Sequence, residues 1–252
     1  MARELKPSAA GQALLDTFEA IRIINLKSRA DRRREITAEF ARLGLAIDGA
    51  RIKFHPASTF SAADLFPSTG ARGCFYSHLG ILEEAKLRNF ENVLILEDDC
   101  DFVGNIEPLL LRATQALGSN DWDLFFGGHE GLACDETSVQ PIQLIKSGSW
   151  IRGTHFVAFR KRTIEAIVTF LRDIQHLADD PIAASKGIDA AYTHFGRTFP
   201  DFRCFVAWPK LGYQRPSRSD IQEQSLYDRL PLANFILVTA RRLKRYLRKR
   251  ST

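Results

Sequence analysis

The chain has 252 residues, of which 45% are hydrophobic and 26% charged, enough apolar material for one large α/β domain with a core of its own. The net charge is +5, but Arg241 to Arg250 holds seven basic residues and no acid, so removing those seven leaves −2 for the rest. No stretch approaches the ~20 apolar residues that span a bilayer. The four cysteines (Cys74, Cys100, Cys134, Cys204) form no Cys-x-x-Cys pair, which argues against a structural zinc site and against a dense disulfide framework.

Ile21 to Leu26 (IRIINL) reads as a buried strand, short and β-branched. Asp31 follows as the cap of a helix whose Ile36, Phe40 and Leu43 recur at helical spacing. A second strand is expected over Arg51 to His55, a loop over Pro56 to Gly70, and a helix over Gly73 to Asn89. Asn92 to Glu97 (NVLILE) is the clearest buried strand. Beyond it come a helix over Ile106 to Leu117, a strand over Asp121 to Phe126 containing a core Trp122, and a strand over Thr154 to Arg160. A helix over Lys161 to Asp173 and a last strand over Arg203 to Ala207 complete the series. Strands alternating with helices predict an α/β layer with a mostly parallel sheet, in which ligands collect beyond the carboxyl ends of the strands. One domain over residues 1–229 and a basic amphipathic tail over 230–252 is the economical division.

The most informative stretch is Leu94-Ile95-Leu96-Glu97-Asp98-Asp99-Cys100-Asp101, where a hydrophobic strand runs into four carboxylates within five positions. Like charges this close raise one another's pKa, and a hard divalent cation such as Mn²⁺ or Mg²⁺ removes that cost. Glu97 and Asp99, two apart at a strand end, are the first chelating pair, and Asp99 with Asp101 is a second. A solvated acidic turn is the plain alternative. An ion held by few carboxylates commonly binds substrate phosphates, and no Gly-x-x-x-x-Gly-Lys-[Ser/Thr] loop or Gly-x-Gly-x-x-Gly turn competes for that role. A nucleotide-sugar transferase and a metal-dependent phosphodiesterase remain on these residues.

Three segments occur in order: Ile24-Asn25-Leu26-x-x-Arg29-x-Asp31-Arg32-Arg33, Gly73-Cys74-x-x-Ser77-His78 and Leu96-Glu97-Asp98-Asp99. Trp122-Asp123, Gly153-Thr154-His155-x-x-Ala158, Ile188-Asp189, Pro209-x-x-x-x-Gln214 and Ser219-Asp220-Ile221 follow them. The ordered set, over roughly residues 20 to 221, resembles glycosyltransferase family 25, the lipooligosaccharide galactosyltransferase type, which also includes collagen galactosyltransferase-like domains. That resemblance implies a GT-A-like fold, a UDP-sugar donor (usually UDP-galactose) and transfer with inversion to a glycan or glycolipid acceptor. It implies that the acidic triplet stands where other families carry Asp-x-Asp.

Each residue singled out has a plain alternative beside the functional one. Asn25 and Arg29 lie just past the first strand, where a nucleotide meets the sheet, although the run of arginines also suits a solvated helix start. Ser77 and His78 are read as donor contacts with Asp98, and His78 equally as a satisfied core histidine. His155 opens a strand and stands as a third metal ligand beside Glu97 and Asp99, or as packing. An inverting transferase needs a carboxylate to take the acceptor's proton; Asp189 is the first choice and Asp220 the second, with a helix cap as the alternative for Asp189. The tail interleaves Phe235, Ile236, Leu243, Tyr246 and Leu247 with cations, which suits an anionic membrane face, or a solubilising or nucleic-acid-binding arm. The expected placement is cytoplasmic, on the inner face of the membrane, with no nucleic-acid partner. A non-catalytic binding module is the remaining alternative.

Overall fold

The computed structural model describes residues 5–132, 134, 135, 137–174 and 187–215. Asp220 and the tail over 230–252 lie outside the described residues.

A helix the sequence reading did not include, α1 (Ala9–Thr17), comes first, capped by the Ser8 hydroxyl, which accepts from Gly11 N. Then β1 (Ala20–Asn25), α2 (Ala30–Arg42), β2 (Ile52–Pro56), α3 (Thr69–Leu87) and β3 (Asn92–Glu97) run in order. They are followed by β4 (Cys100–Phe102), α4 (Ile106–Gly118), β5 (Leu124–Phe126), β6 (Ile142–Ile145) and β7 (Phe156–Arg160). The last elements are α5 (Lys161–Ile174), α6 (Ile188–Thr198), β8 (Cys204–Ala207) and β9 (Gly212–Gln214).

Two helix starts differ from expectation. Arg29, not Asp31, holds the cap position of α2, and Asp31 sits in the first turn, where its charge suits the helix dipole. Helix α3 begins at Thr69 because the Ser68 hydroxyl accepts from Ala71 N, a capping bond inside what reads as loop. The strands β4, β6 and β9 were also unforeseen; each spans four residues or fewer.

Seven strands form one sheet in the order β2-β1-β3-β7-β5-β8-β6, and β4 pairs with β9 in a separate ribbon. Strands β2, β1, β3, β5 and β8 run one way, and β7 and β6 oppose them. That is the α/β layer with a mostly parallel sheet that the alternation of strands and helices predicts. Both faces are covered, so β1 is buried at every position and the middle of β3 is a continuous apolar run rather than an alternating one. One core packs Leu14, Phe40, Leu96 and Phe156 beneath α1, α2 and α4; the other packs Phe75, Ile95, Val157 and Phe159 beneath α3, α5 and α6. The register sets Ile24 beside Glu97 and Leu96 beside Phe156. The ends of β1 and β3 and the start of β7 therefore share one edge, and the candidate site is built there. Among the described residues, no helix is long and apolar enough to cross a membrane.

Candidate functional site

The four acids after β3 divide into two kinds. Asp98 is gripped by Arg32 Nη1 (2.9 Å to Oδ1) and Asn25 Nδ2 (2.7 Å to Oδ2), so it ties β1 and α2 to the strand end. Asp101 is fully buried and accepts from Arg215 Nη2 at 2.6 Å, while Arg215 also pairs with Glu35. Each of these carboxylates is matched by a guanidinium, as a buried charge must be.

Glu97 and Asp99 keep capacity for something else. Asp99 Oδ2 lies 3.2 Å from Arg32 Nη1 and 3.4 Å from Gln214 Nε2, but its Oδ1 is buried with no hydrogen-bond partner. Burial, and next the charge of Glu97, push the Asp99 carboxyl up to about 7. A divalent cation between Glu97 and Asp99 would relieve that repulsion and satisfy Oδ1, so oxygen-rich Mn²⁺ or Mg²⁺ chemistry fits the pair.

Two clefts meet at Glu97. A smaller one, about 190 Å³, is lined by Ile24, Arg32, Thr59, Gly73 and Asp99 among others. A larger one, about 450 Å³, is lined by Glu130, Trp150, Arg152, Asp189 and Gln214 among others. Glu97 and Cys74 line both and form their common wall.

Asp189 lies in the first turn of α6, but Gly187 holds the cap position, so the carboxylate is free of the capping role. Its Oδ2 instead accepts from Gly153 N at 3.0 Å. Thr154, next along, donates from Oγ1 to Glu97 Oε1 at 2.8 Å, so the 153–154 turn joins the two carboxylates. Burial raises the Asp189 pKa, which makes the ionised form a stronger base than an exposed aspartate.

The remaining sequence-derived residues fall at varying distance from these clefts. His78 is fully buried on α3, with Nδ1 2.9 Å from Tyr192 Oη and Nε2 3.7 Å from Glu97 Oε1. Ser77 lines the smaller cleft, but its hydroxyl donates to the Gly73 carbonyl (2.6 Å) and accepts from Ser58 N (2.9 Å), holding the loop before α3. Arg29 turns to Asp31 (2.9 Å) and lines neither cleft. His155 is enclosed: a Cβ at Gly128 would overlap its Nε2, and one at Gly153 would crowd its Nδ1. Its Nε2 stands 3.5 Å from the Gly212 carbonyl oxygen, and Nδ1 has no partner.

Arg32, Trp150, Arg152 and Gln214 line the clefts without having been singled out for them. Arg32 stood in a quoted motif and in a run of arginines, with no role of its own. Trp150, 46% exposed beside Asp189, is the sort of large exposed aromatic that local sequence cannot distinguish from core.

Comparison with known proteins gives the relationship. Residues 18–124 match the model of glycosyltransferase family 25, described as an LPS biosynthesis protein. The chain is 33% identical over 137 residues to a glycosyltransferase 25 family member of Aedes aegypti, covering 46% of this chain and 22% of that protein. It is 30% identical to procollagen galactosyltransferase 1-B of Xenopus laevis (48% and 23% covered), and 28% identical to the inactive glycosyltransferase 25 family member 3 of Homo sapiens (49% and 24%). The chain thus spans under a third of the length of the curated relatives it matches. A solved glycosyltransferase involved in glycosylating the major capsid of PBCV-1 superposes with a TM-score of 0.46 at 14% identity, covering 79% of this chain and 94% of that one. Over residues 18–124, which include the arginine-anchored acids at the end of β3, this chain is similar to glycosyltransferase family 25.

Proposed function

We propose that the protein is a metal-dependent transferase that moves a hexose, galactose first among them, from a UDP-sugar to a hydroxyl of a lipooligosaccharide or related glycan, with inversion. The observation that carries this is the meeting of two clefts at Glu97, one with the unsatisfied carboxylate Asp99 and the other with the half-buried carboxylate Asp189. The smaller cleft, at the carboxyl ends of β1 and β3, suits the nucleotide, and the larger suits the acceptor. This is the GT-A-like arrangement that the family resemblance implies.

Glu97 and Asp99 would hold the divalent cation, which when bound neutralises negative charge on the donor diphosphate. Asp189 removes the proton from the acceptor hydroxyl as its oxygen attacks the anomeric carbon. The bond from that carbon to the diphosphate oxygen breaks on the opposite face, UDP departs, and the proton remains on Asp189. Gly153 N holds the carboxylate in place for that step. Seven cations in the tail, which lies outside the described residues, support a peripheral position on an anionic inner membrane face in the cytoplasm.

The test needs no acceptor, because water replaces it. Time-resolved proton NMR of the sugar released from UDP-α-galactose should show the β anomer before mutarotation. First appearance of the α anomer would contradict inversion by Asp189. The similarity to a relative named inactive makes the non-catalytic reading concrete: UDP-sugar binding without any release of UDP would establish it.

A further inference from the structure

We propose that Cys74, His78 and Glu97 form a binding site for a soft divalent cation of the zinc or cobalt class, set in the wall between the two clefts. It shares Glu97 with the oxygen pair Glu97 and Asp99 but differs from it in ligand chemistry, and it does not depend on the transferase reading. Cys74 and His78 are four apart on α3, so their side chains rise from one face of the helix. Glu97 meets them from the end of β3, and the thiol, imidazole and carboxylate ligand atoms all lie within 4.8 Å of one another.

An independent observation is the state of His78. Its ring is fully buried, yet Nε2 has no hydrogen-bond partner and is aimed at Glu97. The 3.7 Å between Nε2 and Glu97 Oε1 is too long for a hydrogen bond. It is close to what a shared ion produces, since two ligands about 2.1 Å from a tetrahedral ion lie about 3.4 Å apart. Tyr192 Oη, 2.9 Å from Nδ1, supplies the outer partner that metal-bound imidazoles carry. With the proton on Nδ1 donated to Tyr192, Nε2 turns its lone pair toward the carboxylate, an arrangement that calls for a cation between them. One sulfur, one nitrogen and one oxygen select a softer ion than Mg²⁺. Three protein ligands leave a fourth position open, and two of the three, Cys74 and Glu97, line both clefts.

Cobalt makes the site visible. Full-length protein stripped with EDTA and reduced should take up one equivalent of Co²⁺, with a near-ultraviolet thiolate-to-cobalt band and the visible bands of tetrahedral cobalt. Zn²⁺ should bleach both. Cys74→Ala should abolish the thiolate band, whereas replacing Cys100, Cys134 and Cys204 together should leave it. Tyr192→Phe should weaken Co²⁺ binding about 10- to 100-fold. Should a variant fail to fold, the unaltered protein still decides the matter, because Zn²⁺ should slow alkylation of Cys74, read by mass spectrometry, and leave Cys134 unchanged. A missing thiolate band in the wild type, a band surviving Cys74→Ala, or alkylation of Cys74 indifferent to Zn²⁺ would each overturn the proposal. None of these readouts involves sugar transfer, so failure here is distinct from failure of the proposed activity.

Discussion

Asp99→Asn in metal-free protein gives the sharpest energetic prediction. The carboxyl is 5% exposed and its folded pKa stands at about 7, against about 3.9 in an unfolded chain. Between those two values the unfolded chain has lost this proton and the folded one keeps it, so stability declines as pH rises and levels off above about 7. Three pKa units at 1.36 kcal/mol each make the decline about 4 kcal/mol, or on the order of 10 °C in Tm for a chain of this size. Asparagine cannot titrate. Urea denaturation in EDTA from about pH 4 to about pH 8 should therefore show the variant gaining on the wild type by about that amount. Titrating groups away from the acidic cluster are common to both chains and cancel in the difference, which leaves Asp99 together with the Glu97 charge that repels it. Adding Mn²⁺ at the high end should recover stability in the wild type and much less in the variant. Parallel pH curves for the two proteins would refute the claim that Asp99 is a buried carboxylate awaiting a cation.

Asp189→Asn should lower turnover by roughly 10² to 10⁴ with donor affinity nearly unchanged, measured by steady-state kinetics and calorimetry. In the wild type the acid limb of the pH–rate profile should lie above the ordinary aspartate range, because burial raises this pKa and activity fails once pH falls below it. Arg215→Ala should cost about 3–5 kcal/mol in urea titrations, since it removes a hydrogen-bonded guanidinium from the fully buried Asp101. Removing residues 230–252 should release the protein from anionic vesicles in cosedimentation at low salt; equal binding to neutral vesicles would assign the tail another role.

The strand β3 and the acids after it were legible because an apolar run ending in charge leaves little choice of structure. Which acids remain available was not legible, because the answer lies far away in sequence. Asp98 is taken by Arg32, 66 residues earlier, and Asp101 by Arg215, 114 residues later. The β4–β9 ribbon that brings Arg215 there pairs Cys100 with Gln214, and three-residue strands leave no periodicity to read. The same distance hid the 153–154 turn that links Asp189 to Glu97, although both halves stood in quoted motifs. Helix α1 did carry a signal in Ala10, Leu14 and Phe18, spaced by four and now buried. The fold brings Glu97 and His78 near enough to Asp189 for their charges to act on it; the sequence order alone leaves them unconnected.

The most direct measurement is release of UDP from a panel of UDP-sugars by purified protein in Mn²⁺, without acceptor. The account predicts slow hydrolysis of one sugar, UDP-galactose first among them, abolished by EDTA and by Asp99→Ala. Undiminished release in EDTA, or no release from any UDP-sugar despite a folded protein, would contradict it.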